Sequence, residues 1–172
     1  RMLLRTALRG LAAIHERSIV HRDIKPENLV LSDAGEVVVT DFGLARRLGT
    51  GDLCSEVVGT SGYMSPEVLR REAYSYGADV WSLGVVLYVL LSAVPPFPFD
   101  DEKVEAELIK AGRWSFAGAN WRDVSDDARV RGAAVRAAPR RDDRLHQHDL
   151  QFVHLQRAAG GAPDGRVHLF RS

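Results

Sequence analysis

The sequence is poor in cysteine. Its single thiol, Cys54, excludes an internal disulfide framework and fits a reducing compartment, which points to an intracellular, cytoplasmic protein. It also lacks an excess of either charge. Lys and Arg number 23 and Asp and Glu 23, so bulk electrostatics favours neither nucleic acid nor an anionic membrane surface. No basic-then-apolar leader opens the chain, so nothing indicates secretion, and a start at Arg1 predicts coding sequence further upstream. Long apolar runs are scarce as well. The nearest approach to a membrane span, Ala78 to Val94, is short for a bilayer, carries Asp79 near its start and stops at Pro95-Pro96. It reads instead as a helix buried on all sides in a soluble core. With 172 residues, 45% of them hydrophobic, the chain has material for one ordinary core and not for two.

What is present falls into a clear order. Leu4, Leu8, Leu11 and His15, with Ala7 and Ile14 beside them, recur at helical spacing, while Arg5, Arg9 and Glu16 fall on another face. This predicts an amphipathic helix from about Met2 to Glu16. Leu29-Val30-Leu31 and Glu36-Val37-Val38-Val39-Thr40 flank the turn Ser32-Asp33-Ala34-Gly35, the pattern of a β-hairpin. Residues 44–64 are rich in Gly, Ser and Thr without a period and predict a long loop, a feature that in compact domains is usually functional. A short helix is expected near Pro66 to Arg70, then the buried helix. A last helix starts at Asp100 or Asp101, with acids in its first turn and Lys110 in its last, as the helix dipole favours. The fold class is α+β: a mostly helical lobe with one short hairpin, ending near Arg129. From Val130 to Ser172 the chain turns to Arg, Ala, Gly and His with no sustained apolar period, and the expectation is a divergent tail, disordered or read out of frame.

The chemistry is concentrated in one short stretch. His21-Arg22-Asp23-Ile24-Lys25-Pro26-Glu27-Asn28 sets two acids, basic side chains and an amide in a single loop, and Asp41-Phe42-Gly43 begins 13 residues beyond Asn28. Carboxylate and amide oxygens on adjoining loops suit Mg²⁺, a hard cation that prefers oxygen donors. A nearby lysine offers a compact positive charge to phosphate oxygens. Gly43 permits a backbone turn that a side chain would hinder.

These residues resemble the catalytic and metal-binding loops of the eukaryotic-type protein kinases. Gly59-Thr60, Ser65-Pro66-Glu67 and Asp79-Val80-Trp81-Ser82-Leu83-Gly84 continue the family's order. The resemblance runs from about Met2 to Arg129 and is to the C-terminal lobe, the N-terminal lobe being absent. It implies an ATP-dependent kinase in which Asp23 accepts the proton of the attacking hydroxyl, Lys25 neutralises the transferring phosphoryl group, and Asn28 and Asp41 hold Mg²⁺. Thr60 would bond near Asp23 and Lys25 and shape the substrate-docking loop. Lys25 implies the serine/threonine class, and the stretches GTSGYMSPEVL and DVWSLGVVLYVLL resemble the calcium/calmodulin-dependent branch. Glu27 stands where basophilic relatives receive a substrate arginine, so basic protein substrates are expected. Calmodulin stays open as a partner without a residue to support it.

Other positions take structural readings. His21 is expected to pack and hydrogen-bond within its loop, Asp79 to hold that loop's backbone, and Glu67 to pair with Arg140, Arg141 or Arg144. Phe42, Trp81 and Tyr88 are expected in the core, and Cys54 as an ordinary loop thiol. In the family, an arginine before the catalytic Asp, here Arg22, waits for negative charge on the activation loop. The usual phosphorylated position, three residues before Gly59-Thr60, is Glu56, whose carboxylate is expected to pair with Arg22 and Arg46 and to replace the phosphate. The sequence contains no Gly-rich loop and no V-A-I-K strand to grip a nucleotide. Two functions therefore compete: part of an active kinase whose isolated C-terminal lobe is inert, or a non-catalytic docking or decoy module. The intact HRDIKPEN and DFG sets favour the first.

Overall fold

A computed structural model describes residues 2–98, 100–122, 124 and 125. The expected tail from Val130 onward, with the arginines considered as partners of Glu67, lies outside the described residues. Helix α1, Met2–Glu16, presents Ala7, Leu11, Ile14 and His15 to the interior and leaves Arg5, Arg9 and Glu16 exposed, as its periodicity dictates. Gly10 lets it lie close against the hairpin: a Cβ there would sit 3.3 Å from Val39 Cγ2.

Strand β1, Ile19–Val20, leads into the HRD loop, and a 3₁₀ turn at Pro26–Asn28 ends it. Strands β2, Leu29–Leu31, and β3, Val37–Val39, pair antiparallel with Leu29 opposite Val39 and Leu31 opposite Val37. Gly35, at φ 75°, closes the turn and donates its N–H to Ser32 O. Beyond the strands the pairing continues from Thr40 N to Asn28 O at 2.9 Å. That bond places the end of the HRD loop next to the start of the DFG loop.

Residues 44–64 are not wholly loop. Strand β4, Arg46–Arg47, pairs antiparallel with β1, and an isolated bridge joins Cys54 to Tyr74. Two-residue strands carrying arginines leave no alternating pattern, so periodicity could not find them. Cys54 is accordingly fully buried, packed with Val20, Leu48 and Tyr74, and burial pushes its thiol up from the ordinary value. Helix α2, Pro66–Leu69, begins on Pro66, where the missing N–H is no loss.

Helix α3, Gly77–Ser92, is buried along nearly its whole length and organises the molecule. Leu83 and Val86 pack with α1 and Val39, while Trp81 and Val85 pack with Phe97 and Ile109 on another side. It stops at Ala93, in the left-handed conformation at φ 57°. Among the described residues no helix is long and apolar enough to cross a membrane. Helix α4, Glu102–Lys110, is capped by Asp101, whose Oδ1 accepts from Lys103 N at 2.8 Å and Val104 N at 3.2 Å. Trp81 and Tyr88 are core residues, but Phe42 is not: its ring is 46% exposed, and its aromatic contact is an edge with His21 at 5.0 Å. No described element covers that ring, so its apolarity is not enough to bury it.

Candidate active site

The HRD loop is held from below by α3. Asp79, fully buried, accepts His21 N–H at Oδ2 and Arg22 N–H at Oδ1, both at 2.8 Å, and its Oδ2 also lies 2.8 Å from His15 Nε2. One carboxylate thus fixes two successive peptide N–H groups and ties α3 to α1. Orphaning a buried donor costs roughly 1–3 kcal/mol, so loss of Asp79 would be felt several times over. Arg22 adopts φ 69°, a conformation a side-chain-bearing residue keeps only where its surroundings impose it, and the Asp79 bonds do so. His21 is fully buried and works on both sides. Its Nδ1 accepts from Asp23 N at 3.3 Å, which leaves the proton on Nε2 to donate to Thr40 O at 3.0 Å.

Above this base three side chains close a triangle. Thr60 Oγ1 donates to Asp23 Oδ1 at 2.7 Å and accepts from Lys25 Nζ at 2.9 Å, and Lys25 Nζ lies 2.9 Å from Asp23 Oδ2. Asn28 joins through Nδ2, which donates to Asp23 O at 2.8 Å and Asp23 Oδ2 at 3.2 Å. Burial pushes the Asp23 carboxylate upward, but the bonds from Thr60 and Lys25, the Lys25 charge and Asn28 outweigh it and hold the group below its ordinary value. The bond to Asp23 raises the Lys25 ammonium in turn. Asp23 is therefore ionised and Lys25 charged at neutral pH.

Asp41 is brought alongside by the hairpin through the Asn28–Thr40 bond, although no direct bond joins it to the triangle. It stands at φ 58°, and its Oδ1 accepts Gly43 N–H at 3.1 Å, a tight turn that sets the DFG loop. Glu27 is exposed on the 3₁₀ turn, outside this cluster.

A second cluster joins the loops from the side. Glu56 accepts from Arg46 Nη1 at 2.9 Å through Oε1 and from Arg22 Nη1 at 3.2 Å through Oε2, while Arg22 Nε donates to Leu44 O at 2.7 Å. The N–H groups of Glu56 and Ser55, and then the charges of Arg46 and Arg22, hold the Glu56 carboxylate below its ordinary value. Tyr74 Oη donates to Glu56 O at 2.8 Å, which ties the same residue to the Cys54–Tyr74 bridge. Glu67 is half-buried on α2.

Sequence reasoning missed one linkage. Glu105, on α4 and 2% exposed, accepts from Ser61 Oγ at 2.6 Å. Nothing in the order of motifs singles it out; an acid at a position expected to face the core is the one available signal.

Residues 1–130 match the protein kinase domain. The chain belongs to that family. Among curated kinases, the serine/threonine-protein kinase PEPKR2 of Arabidopsis thaliana is 48% identical over 115 residues, 67% of this chain and 24% of that protein. The calcium/calmodulin-dependent protein kinase type II of Caenorhabditis elegans is 40% identical over 125 residues, 71% of this chain and 17% of that protein. A probable myosin light chain kinase of Dictyostelium discoideum is 35% identical over 175 residues, 98% of this chain and 50% of that protein. This kinase chain thus spans at most half the length of these relatives, and its α+β class and helical, C-terminal-lobe character agree with the family match.

Proposed function

We propose that the chain supplies the phosphotransfer centre of an ATP-dependent protein serine/threonine kinase. The observation that carries this reading is the triangle in which Thr60 Oγ1 joins Asp23 at 2.7 Å to Lys25 at 2.9 Å. It holds an ionised carboxylate and a charged ammonium side by side in a loop fixed by Asp79. Asp23 orients the substrate hydroxyl and accepts its proton, which requires the charged form that the surrounding bonds favour. Lys25 meets the negative charge on the transferring group, and Thr60 sets the distance between the two. Phosphoryl transfer needs little covalent assistance from protein, so positioning and charge account for most of what these residues contribute.

The donor set suits magnesium. Nδ2 of Asn28 is engaged with Asp23, which leaves Oδ1 as the amide's oxygen donor, and Gly43 engages only Oδ1 of Asp41. Among the described residues no group of three or more His, Cys, Asp and Glu is placed to hold a metal. Two oxygen-bearing side chains agree with the habit of Mg²⁺, which takes one or two protein ligands and completes its shell with phosphates and water. When bound, the ion would neutralise charge on the nucleotide phosphates. Glu27, exposed beside this centre, would meet a basic side chain of the protein substrate. Glu56, bonded to Arg22 and Arg46, supports an activation segment ordered without phosphorylation.

The experiment joins the chain in cis to the N-terminal lobe of the nematode type II relative and supplies ATP, Mg²⁺ and arginine-rich peptides bearing Ser, Thr or Tyr. Phosphate on Ser and Thr is the expected result. Phosphate confined to Tyr would remove the class assignment, and its absence from all three peptides would favour a docking or decoy module.

A further inference from the structure

Among the described residues, Glu105 is the buried acidic side chain that the phosphotransfer reading leaves unused. It lies on the inner side of α4 at 2% exposure, and one of its oxygens, Oε1, has no hydrogen-bond partner. Its other oxygen, Oε2, accepts from the Ser61 hydroxyl at 2.6 Å. A buried carboxylate with an orphaned oxygen and no cation weakens a fold, and native structures keep such groups where something other than stability is served.

The place of the bond says what is served. Ser61 is an exposed loop residue one position beyond Thr60, whose hydroxyl joins Asp23 to Lys25. The loop is pinned on either side of Ser61: Thr60 is bonded to Asp23 and Lys25, and Tyr63 O accepts from the Ser82 hydroxyl of α3 at 2.7 Å, while Tyr63 N–H donates to Thr60 O at 3.2 Å. Helix α4 is fixed as well. Asp101 caps its N-terminus, Ile109 is fully buried against Trp81 and Phe97, and the Arg70 guanidinium on the neighbouring segment donates to Lys110 O. Helix α4 therefore adds a hydrogen bond at Ser61, between the two anchored positions.

We propose that Glu105 is a positioning residue: through Ser61 it holds the 60–63 segment in register with the catalytic loop, at some expense of global stability. The inference rests on the kinase reading only in that this segment docks the substrate, and its test requires no turnover. The two partners are asymmetric. Removing the carboxyl group relieves a buried, half-satisfied polar group, and replacing such a group by an apolar residue of similar size can be neutral or stabilising. Removing the hydroxyl strands the whole carboxylate.

The test uses the 172-residue chain, its thermal midpoint and the hydrogen exchange of the Tyr63 amide. Glu105→Leu should raise the midpoint or leave it in place, Ser61→Ala should lower it, and both should speed Tyr63 exchange severalfold, up to about tenfold, as the loss of one hydrogen bond implies. Glu105→Gln, which keeps an acceptor for Ser61, should restore slow exchange. The proposal is overturned if Tyr63 exchange is unchanged in Glu105→Leu, if both variants lower the midpoint together, or if Gln behaves like Leu. Absence of phosphotransfer in the assay above would strike the kinase reading and leave these results standing.

Discussion

Glu56 receives two guanidinium groups from different parts of the chain, Arg22 of the HRD loop and Arg46 of β4, at 3.2 and 2.9 Å. Each bond is solvent-exposed, and an exposed ion pair is worth little taken singly. Their value lies in geometry: the Glu56 carboxylate joins the HRD loop to the strand after DFG, and the backbone carbonyl of the same residue accepts from Tyr74 Oη in the segment before α3. Phosphate at this point would carry more charge and more acceptor oxygens than a carboxylate, but the same sign. Two results follow for the chain carrying a nucleotide-gripping lobe. Phosphatase treatment should leave wild-type turnover intact, whereas Glu56→Ala should lower it severalfold and Ser55→Ala should leave it alone. Wild-type turnover lost to phosphatase, or unchanged in Glu56→Ala, would rule out the carboxylate clamp.

At the scale of elements, the hairpin does the placing. The β2–β3 register carries on into the Asn28–Thr40 bond, and so sets Asn28 and Asp41 on adjoining loops. The segment that carries Thr60 is set from the other direction by Gly59. It stands at φ 119°, and a Cβ there would meet the Arg22 carbonyl oxygen at 2.6 Å. Gly59→Ala should therefore cost about 1–3 kcal/mol in strain and displace Thr60 from Asp23. A fall in the denaturation midpoint together with a lost Thr60–Asp23 bond in a crystal structure would bear this out; an unchanged midpoint would contradict it.

The helices and the hairpin were legible in the sequence because α1 is amphipathic, α3 is a continuous apolar run, α4 carries acids in its first turn and Lys110 in its last, and two apolar runs flank a turn. Strand β4 and the Cys54–Tyr74 bridge were not, since their pairing is made at long range by residues with no local pattern. Phe42 misled for a related reason: an aromatic ring is buried only where a neighbour covers it. The Asp23, Lys25, Asn28 and Asp41 set was legible through motif order, while the Glu105–Ser61 bond arises from tertiary packing alone.

For the molecule as a whole, α3 is the common wall. One side carries α1 and the hairpin, another carries Phe97 and α4, and Asp79 at its start holds the HRD loop. The hairpin's outer side remains apolar and uncovered, with Val30 and Val38 opposite each other and each 48% exposed. The chain sets Asp23, Lys25, Asn28 and Asp41, the residues proposed as base, cation and metal ligands, on one scaffold, but its sequence has no Gly-rich loop or V-A-I-K strand from which to grip a nucleotide. Alone it should show no measurable transfer, and joined in cis to a nucleotide-gripping lobe it should be active. The most direct measurement is turnover of the joined chain with Asp23→Asn and Asp41→Ala. The account predicts a loss on the order of 10²–10⁴-fold for Asp23→Asn, the range of general-base contributions, and near-abolition for Asp41→Ala. Retention of more than about a tenth of wild-type turnover by either variant, well inside that range, would contradict it.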